Sequence, residues 1–376
     1  MARYRILITI AAAAPLMLSG AACSSGNAPG PVAAPSQAGS GGGIALTPAS
    51  APETMSEAGS TLLLQVMRTW VAGYHQEHPN VTIHPAGGGS TKGIGQASAG
   101  TVTIGASDAY LSSGDLVKNP ALLNVPLAVS AQQVNYNVPG LPPGTNLHLD
   151  GVVLAQMYDG MITTWDDPSI RKLNPNVPLP GTPVRPLHRS DGSGDTFLFT
   201  SYLSTHDSTW NRDYGYGTTM AWPPAPGARA YSGNQGMVDG CHHTAGCVAY
   251  IGISFQSAAN TAHLGEAKLA NTLGQWELPN RTSIDAAVAS FVSSTPTNET
   301  ISMVDGPASG GYPIVNYEYA VVSTRQHSAT TARDLQAFLH WIITTGNSSL
   351  YLGPVQFQPL PGEIVSLSDA QIAKIR

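Results

Sequence analysis

Arg189-Ser190-Asp191-Gly192-Ser193-Gly194-Asp195-Thr196-Phe197 joins the strand-like Val184-Arg185-Pro186-Leu187-His188 to the helical pattern of Phe197, Leu198, Phe199, Tyr202 and Leu203. A strand that turns through small, glycine-flanked residues into a helix is the junction of an α/β fold. The first turn of a helix leaves backbone N–H groups unpaired and carries partial positive charge, so it holds anions. Arg189 adds a planar fork of donors suited to an oxyanion. Two further turns have the same design. Gly59-Ser60-Thr61 precedes Leu63, Val66, Met67, Trp70, Val71 and Tyr74, and Gly87-Gly88-Gly89-Ser90-Thr91-Lys92-Gly93 follows the strand-like Val81-Thr82-Ile83. Three such turns point to a small anion held between converging helix starts.

Working outward, the rest of the chain alternates in the same way. Strands are expected at Val81–His84, Val102–Ala106, Val184–His188, Cys247–Gly252 and Tyr319–Val322. Helices are expected at Gly151–Tyr158, at Thr282–Val292 with Ser283 as cap, and at Ala332–Thr345. This predicts an α/β protein with mostly parallel sheets, its ligand beyond the carboxyl ends of the strands. Extended passages around Ala128–Tyr136 and Gly311–Tyr317 read as two hinge strands. They divide the chain into one lobe of 52–130 plus 313–376 and a second lobe of 131–312. The length beyond residue 51 supports two lobes rather than one core.

The first residues are not part of that body. Arg3 and Arg5 precede an apolar run, Ile6 to Ala14, and small residues lead to Ala21-Ala22-Cys23. Residues 1–23 read as a secretory signal peptide, with Cys23 as a lipidation site that differs from the usual pattern at Gly20. Residues 24–52 contain no charged side chain and are rich in Gly, Ala, Pro and Ser. A disordered tether is expected over 24–51. The remaining cysteines, Cys241 and Cys247, are expected to pair in a surface hairpin, as suits an exported protein. The intervening His242-His243 has no further ligand cluster at metal spacing, so no metal and no cofactor are expected.

The 23 acidic and 17 basic residues give a formal net charge of -6. An acidic, charge-poor chain is not a nucleic-acid binder. Its overall field does not draw anions, so affinity must come from local hydrogen bonds in a desolvated cleft. Asp108 and Asp195 stand beside the donor-rich turns. An ionised carboxylate only accepts hydrogen bonds, so it repels a bare oxyanion and accepts a proton from a protonated one. Phosphate carries such a proton at neutral pH and sulfate does not. Ser193 as a hydrolase nucleophile is disfavoured, because Gly192-Ser193-Gly194-Asp195 is not a nucleophile elbow.

The segments Gly59-Ser60-Thr61, Gly89-Ser90-x-x-Gly93, Gly105-Ala106-Ser107-Asp108-Ala109 and Arg189-Ser190-Asp191-Gly192-Ser193-Gly194 together resemble the phosphate-binding lipoprotein of high-affinity phosphate ABC importers, the PstS family, and its mycobacterial members most of all. The resemblance covers essentially the whole mature chain. It implies a two-lobed periplasmic-binding-protein fold of type II that closes on one inorganic phosphate. It implies a monomer, not an enzyme, lipid-anchored on the outer face of the cell membrane and partly secreted. Its partners are then a permease and an ATPase.

Carried over by position, the phosphate contacts fall on Ser60, Thr61, the N–H of Leu62, Ser90, Asp108, Arg189, Ser193 and Gly194, with Asp195 beside them. Leu62 stands where many relatives have phenylalanine, and Asp195 where many have threonine. Asp195 has two readings: a second acceptor for a ligand proton, or a helix-terminal carboxylate that never touches the ligand. Asn234, Lys92, His188 and Trp165 are read as closure or loop, solvent-facing, structural and packing residues.

Overall fold

A computed structural model describes residues 44–142 and 144–376. Cys23, the expected signal peptide and the expected tether as far as residue 43 lie outside the described residues. The strands are β1 (Glu53–Gly59), β2 (Val81–Gly87), β3 (Ile104–Ser107), β4 (Leu122–Asn137), β5 (His148–Leu149), β6 (Arg185–Arg189), β7 (Arg229–Tyr231), β8 (Cys247–Gly252), β9 (Gly265–Glu266), β10 (Lys268–Ala270), β11 (Trp276–Glu277) and β12 (Val315–Ser323). Most of them lie in one curled sheet of order β2-β1-β3-β12-β4-β8-β6-β7, with β9 on β4. A small sheet, β11-β10-β5, stands apart.

The outer wings are parallel: β1 with β2 and β3 on one side, β6 with β7 and β8 on the other. The centre is antiparallel, β12 opposing both β3 and β4, and β4 opposing β8. The expectation of mostly parallel sheets is therefore corrected to a mixed one. The reason is the crossing between lobes. One strand must leave the first lobe and another must return, and two such strands side by side are opposed.

β4 makes the outward crossing in a single 16-residue strand. Its first part, Leu122–Ala131, pairs β12, and its second, Gln132–Asn137, pairs β8. The return runs through Ile314, whose carbonyl accepts from Gln132 N–H at 3.0 Å, into β12. Both strands are buried almost throughout, because helices cover both faces of the sheet. Trp70, Tyr74 and Phe338 pack one lobe; Tyr158, Phe199 and Tyr250 pack the other.

Three local expectations change. The tether was expected to reach residue 51, but 44–51 lie on the body. Ala45 N–H donates to Gln336 Oε1 at 3.0 Å, Ala49 N–H to Asp334 Oδ1 at 2.6 Å, and both acceptors lie on the helix Ala329–Ile343. Ser283 is not a cap: Asn280 caps the helix Arg281–Ala289, and Ser283 is the reciprocal third residue of that capping box. Cys241 and Cys247 are disulfide-bonded, but not in a surface hairpin. They join the end of the helix Gly233–His242 to the start of β8, and both are buried.

Candidate functional site

Four chain turns converge between the lobes. From the first lobe come the turn after β1, entering the helix Leu64–Glu77, and the turn after β2, entering the helix Ser90–Ser98. From the second come the turn after β6, entering the helix Gly194–His206, and the turn after β7, entering Gly233–His242. Each parallel strand delivers its helix start to the same end of the sheet, which is where α/β proteins gather ligands. The sequence found three of these turns; the fourth, carrying Asn234, it left as a loop or closure element.

The lobes touch through polar backbone and small side chains. Gly194 N–H donates to Ser90 Oγ at 3.0 Å, and Thr91 N–H to the Gly192 carbonyl at 3.2 Å. Asn234 donates to Thr61 Oγ1 from its backbone at 3.2 Å and its amide at 3.1 Å. Ser254 Oγ donates to the Leu62 carbonyl at 2.8 Å. Such close approach needs glycine. A Cβ at Gly194 would stand 2.6 Å from Asp108 Cβ and 2.8 Å from Ser90 Oγ. Gly89, at φ 91°, would place one 2.3 Å from the Gly192 carbonyl.

Asp108 lies just past β3 and is buried. Ser60 Oγ donates to its Oδ1, and Ser90 Oγ to its Oδ2 at 3.2 Å. Ser60 in turn accepts Leu63 N–H at 3.0 Å, an arrangement that fixes the first turn. Burial raises the Asp108 carboxyl, the Asp195 charge raises it further, and the Ser60 hydroxyl opposes both.

Arg189 ends β6 with its guanidinium 1 % exposed. Its backbone N–H donates to Tyr250 Oη at 2.9 Å, which fixes the base of the side chain. Nε donates to Asp191 Oδ1 at 2.8 Å, Nη2 to Asp191 Oδ2, and Nη1 to Asp195 Oδ2 at 2.6 Å. Burial alone would lower the guanidinium, but the two carboxylates win and hold it above its ordinary value. Burial likewise pushes Asp191 up, and the Arg189 hydrogen bonds and charge more than reverse this.

Asp195 sits in the first turn of Gly194–His206, behind the Ser193 cap. Its carboxylate is turned into the site rather than out along the helix. Oδ2 accepts from Arg189, from Asn234 Nδ2 at 2.8 Å and from Ser193 Oγ at 3.2 Å; Oδ1 accepts from Gln132 Nε2 at 3.2 Å. Ser60, Ser90, Asp108, Arg189, Ser193, Gly194 and Asp195 are thus brought together. Thr61 joins through Asn234, and Leu62 is buried directly beneath. Lys92 is exposed, Trp165 packs and donates to the Gly246 carbonyl at 3.0 Å, and His188 stacks on Trp222.

Asn234, outside the expected set, belongs here, and a second unexpected residue lies behind Asp108. Asn234 holds both Thr61 and Asp195, and its Oδ1 accepts Gly252 N–H at 2.7 Å. Its signal was the Gly233–Gly236 turn, which has the same glycine-polar form as the other three. Glu318, on β12, is fully buried against Asp108. In sequence it is one acid in an apolar strand and carries no motif.

Among the described residues no group of three or more His, Cys, Asp or Glu is placed to hold a metal, and no helix is long and apolar enough to cross a membrane. The family profile of the PBP superfamily domain matches residues 46–345. The chain is 33% identical over 332 residues to the phosphate-binding protein PstS of Methanocaldococcus jannaschii, covering 82% of this chain and 83% of the relative. It is 30% identical over 346 residues to PstS3 of Mycobacterium bovis, covering 87% and 89%. Its fold is similar to that of the periplasmic phosphate-binding protein PfluDING, solved with phosphate bound (TM-score 0.66, 20% identity, 85% and 93% covered). It is also similar to a phosphate ABC transporter substrate-binding protein of Clostridium perfringens (TM-score 0.57, 16% identity, 82% and 100% covered). With two parallel-winged lobes joined by crossing strands, and Arg189, Asp108 and the serine turns at their junction, the chain belongs to the PstS family of periplasmic-binding-protein-like solute-binding proteins.

Proposed function

We propose that this chain binds one inorganic phosphate between its lobes, outside the membrane, and delivers it to an ABC importer of permease and ATPase subunits. It is a binding protein, not an enzyme. The observation that carries the reading is the meeting of Arg189, Ser193 and the Gly194 N–H with Ser60, Ser90 and Asp108 across the lobe junction. Donors come from both lobes, so a bridging anion favours the closed arrangement, and opening releases it.

Thr61 Oγ1, the Leu62 and Gly194 N–H groups, Ser90, Arg189 and Ser193 are the donors. Ser60 orients Asp108, which accepts the proton of the solute. A solute without a proton meets two buried lone pairs, and one buried unsatisfied polar group costs about 1–3 kcal/mol. Selection of phosphate over sulfate thus comes partly from repelling the wrong ligand. Asp195 is a second acceptor of the same kind and biases the site toward the doubly protonated anion.

The lobes divide as 52–130 with 313–376, and 131–312. Lipidation of Cys23 holds the protein on the membrane, and 24–43 spaces it away. It acts as a monomer, without cofactor or nucleic acid. Calorimetric titration with phosphate, then sulfate, tests the reading. Saturable phosphate binding with no sulfate heat supports it; equal binding of both overturns it.

A further inference from the structure

One buried acid near the site has no part in the reading above. Glu318 is 0 % exposed on β12, the strand that returns from the second lobe. Its Oε1 accepts Ser130 Oγ at 2.6 Å and Asn316 Nδ2 at 3.0 Å. Ser130 lies on β4 and Asn316 on β12, so both crossing strands grip this one carboxyl. Asn316 Nδ2 also reaches the Asp108 carbonyl at 3.1 Å. Oε2 is buried and has no donor among the described residues, and the Glu318 carboxyl faces that of Asp108.

Two facing carboxyls with no cation between them need a proton. Both Asp108 oxygens have hydroxyl donors, whereas Glu318 Oε2 has none, so Oε2 is where that proton lies. The other titratable or charged groups near the pair are Arg189 and Asp195, across the lobe junction from Asp108, and Tyr319 on β12. Arg189 is already shared by Asp191 and Asp195, so it does not supply a second positive charge.

We propose that Glu318 is a positioning residue for solute recognition: it carries the proton held between its carboxyl and that of Asp108, and thereby keeps Asp108 an ionised acceptor facing the lobe junction. The inference rests on the phosphate-binding reading. With the proton in place, the pair bears one negative charge, and Asp108 keeps its lone pairs for the solute. Burial, followed by the Asp108 charge, raises the Glu318 carboxyl well above its ordinary range, in the direction this needs. When alkaline pH removes the proton, a second negative charge stands behind Asp108, and anion binding weakens. Because Ser130 donates to the Glu318 carboxylate, it eases that loss.

The test is the phosphate dissociation constant of the full mature chain, measured by calorimetry across neutral and alkaline pH. Glu318→Gln keeps a neutral donor that cannot ionise. It is expected to bind phosphate like wild type near neutrality and to lose about tenfold of the alkaline weakening that wild type shows. Weakening from the solute's own ionisation stays in both. Ser130→Ala keeps both carboxyls and leaves a small buried side chain. It is expected to move the alkaline limb to higher pH. A purely structural role shifts melting temperature and leaves the two binding profiles parallel. Parallel profiles for Glu318→Gln overturn the proposal, as does an unmoved limb in Ser130→Ala should the glutamine variant fail to fold. A wild type that binds no phosphate at any pH overturns the phosphate reading itself, a different result from either.

Discussion

Replacing Asp195 by threonine separates its two effects, on the ligand-free protein and on binding. In the structure its Oδ2 is 2.6 Å from Arg189 Nη1, and both side chains are 1 % exposed. Removing one partner of a buried ion pair costs about 3–5 kcal/mol when the other is left alone. Arg189 is not left alone, because Asp191 holds it through two hydrogen bonds. The expected loss is therefore smaller, roughly 2 kcal/mol of ligand-free stability, or a few degrees in melting temperature. Binding moves the other way. A carboxylate about 5 Å from a bound anion repels it by about 3 kcal/mol at an effective dielectric constant of ~20. Lifting that repulsion tightens binding by about a hundredfold for a single negative charge, and by more for the dianion. For a solute that donates a proton to Asp195, a hydrogen bond offsets the repulsion, and the gain shrinks. Asp195→Thr should thus bind much more tightly than wild type at alkaline pH and about equally at acid pH. Calorimetry at several pH values gives the affinities, and thermal melting without phosphate gives the stability. Parallel affinity profiles, or an unchanged ligand-free melting temperature, would refute the reasoning.

Gly194→Ala should weaken phosphate binding at least tenfold with little change in the far-ultraviolet circular dichroism spectrum, since the new Cβ meets Asp108 and Ser90 only when the lobes are together. An unchanged dissociation constant would show that the lobes need not approach this closely. Replacing Cys241 and Cys247 together by alanine should remove about 2 kcal/mol, the loop-entropy value for so short a ring, and leave phosphate affinity intact; denaturant titration and calorimetry check the two halves. Glu57 is buried on β1, and desolvation pushes its carboxyl up from 4.5 to about 8, against the Ala86 N–H that it accepts. A raised folded-state value means protons bound in the native state and lost on unfolding. Stability is therefore full below the ordinary carboxylate range and falls as pH rises toward about 8. Glu57→Gln should flatten that fall, read as melting temperature against pH; an equally steep fall in both proteins would exclude Glu57 as its source.

What the sequence disclosed follows from how local each signal is. The Arg189 turn announces itself because strand, glycines, cap and helix lie within a dozen residues. Gly151–Tyr158 and Cys247–Gly252 were legible for the same reason, and both match their observed bounds. β1 was not recognised, because Glu53-Thr54-Met55-Ser56-Glu57-Ala58-Gly59 reads as acidic and small rather than strand-like. Its glutamates are absorbed by Thr331, across the lobe, and by the Ala86 N–H. The opposed centre of the sheet was hidden, since strand direction is set by the crossings between lobes and not by any residue in β4 or β12. The last stretch of the expected tether looked free because Ile44 to Pro52 carries no charge. Its backbone is held by acceptors almost three hundred residues away.

Glu318 shows the sharper limit, and also what the fold is for. Period-two alternation identifies a half-buried strand, but β12 is covered on both faces, so an acid within it looks like an outward-facing residue until the packing is known. Only the packing reveals that it backs Asp108. The body is poor in charge, yet it gathers Asp108, Asp191 and Asp195 about Arg189, with Glu318 behind Asp108. That is an excess of acids where an anion is expected to bind. Attraction alone gives no reason for such a set. Discrimination gives one: on the proposed reading, donors at three helix starts and Arg189 hold any tetrahedral oxyanion, whereas each added acceptor raises the penalty for one that brings no proton. On this view an increase in affinity and an increase in selectivity are opposed. Neutralising Asp108 and Asp195 in turn should admit sulfate before it abolishes phosphate.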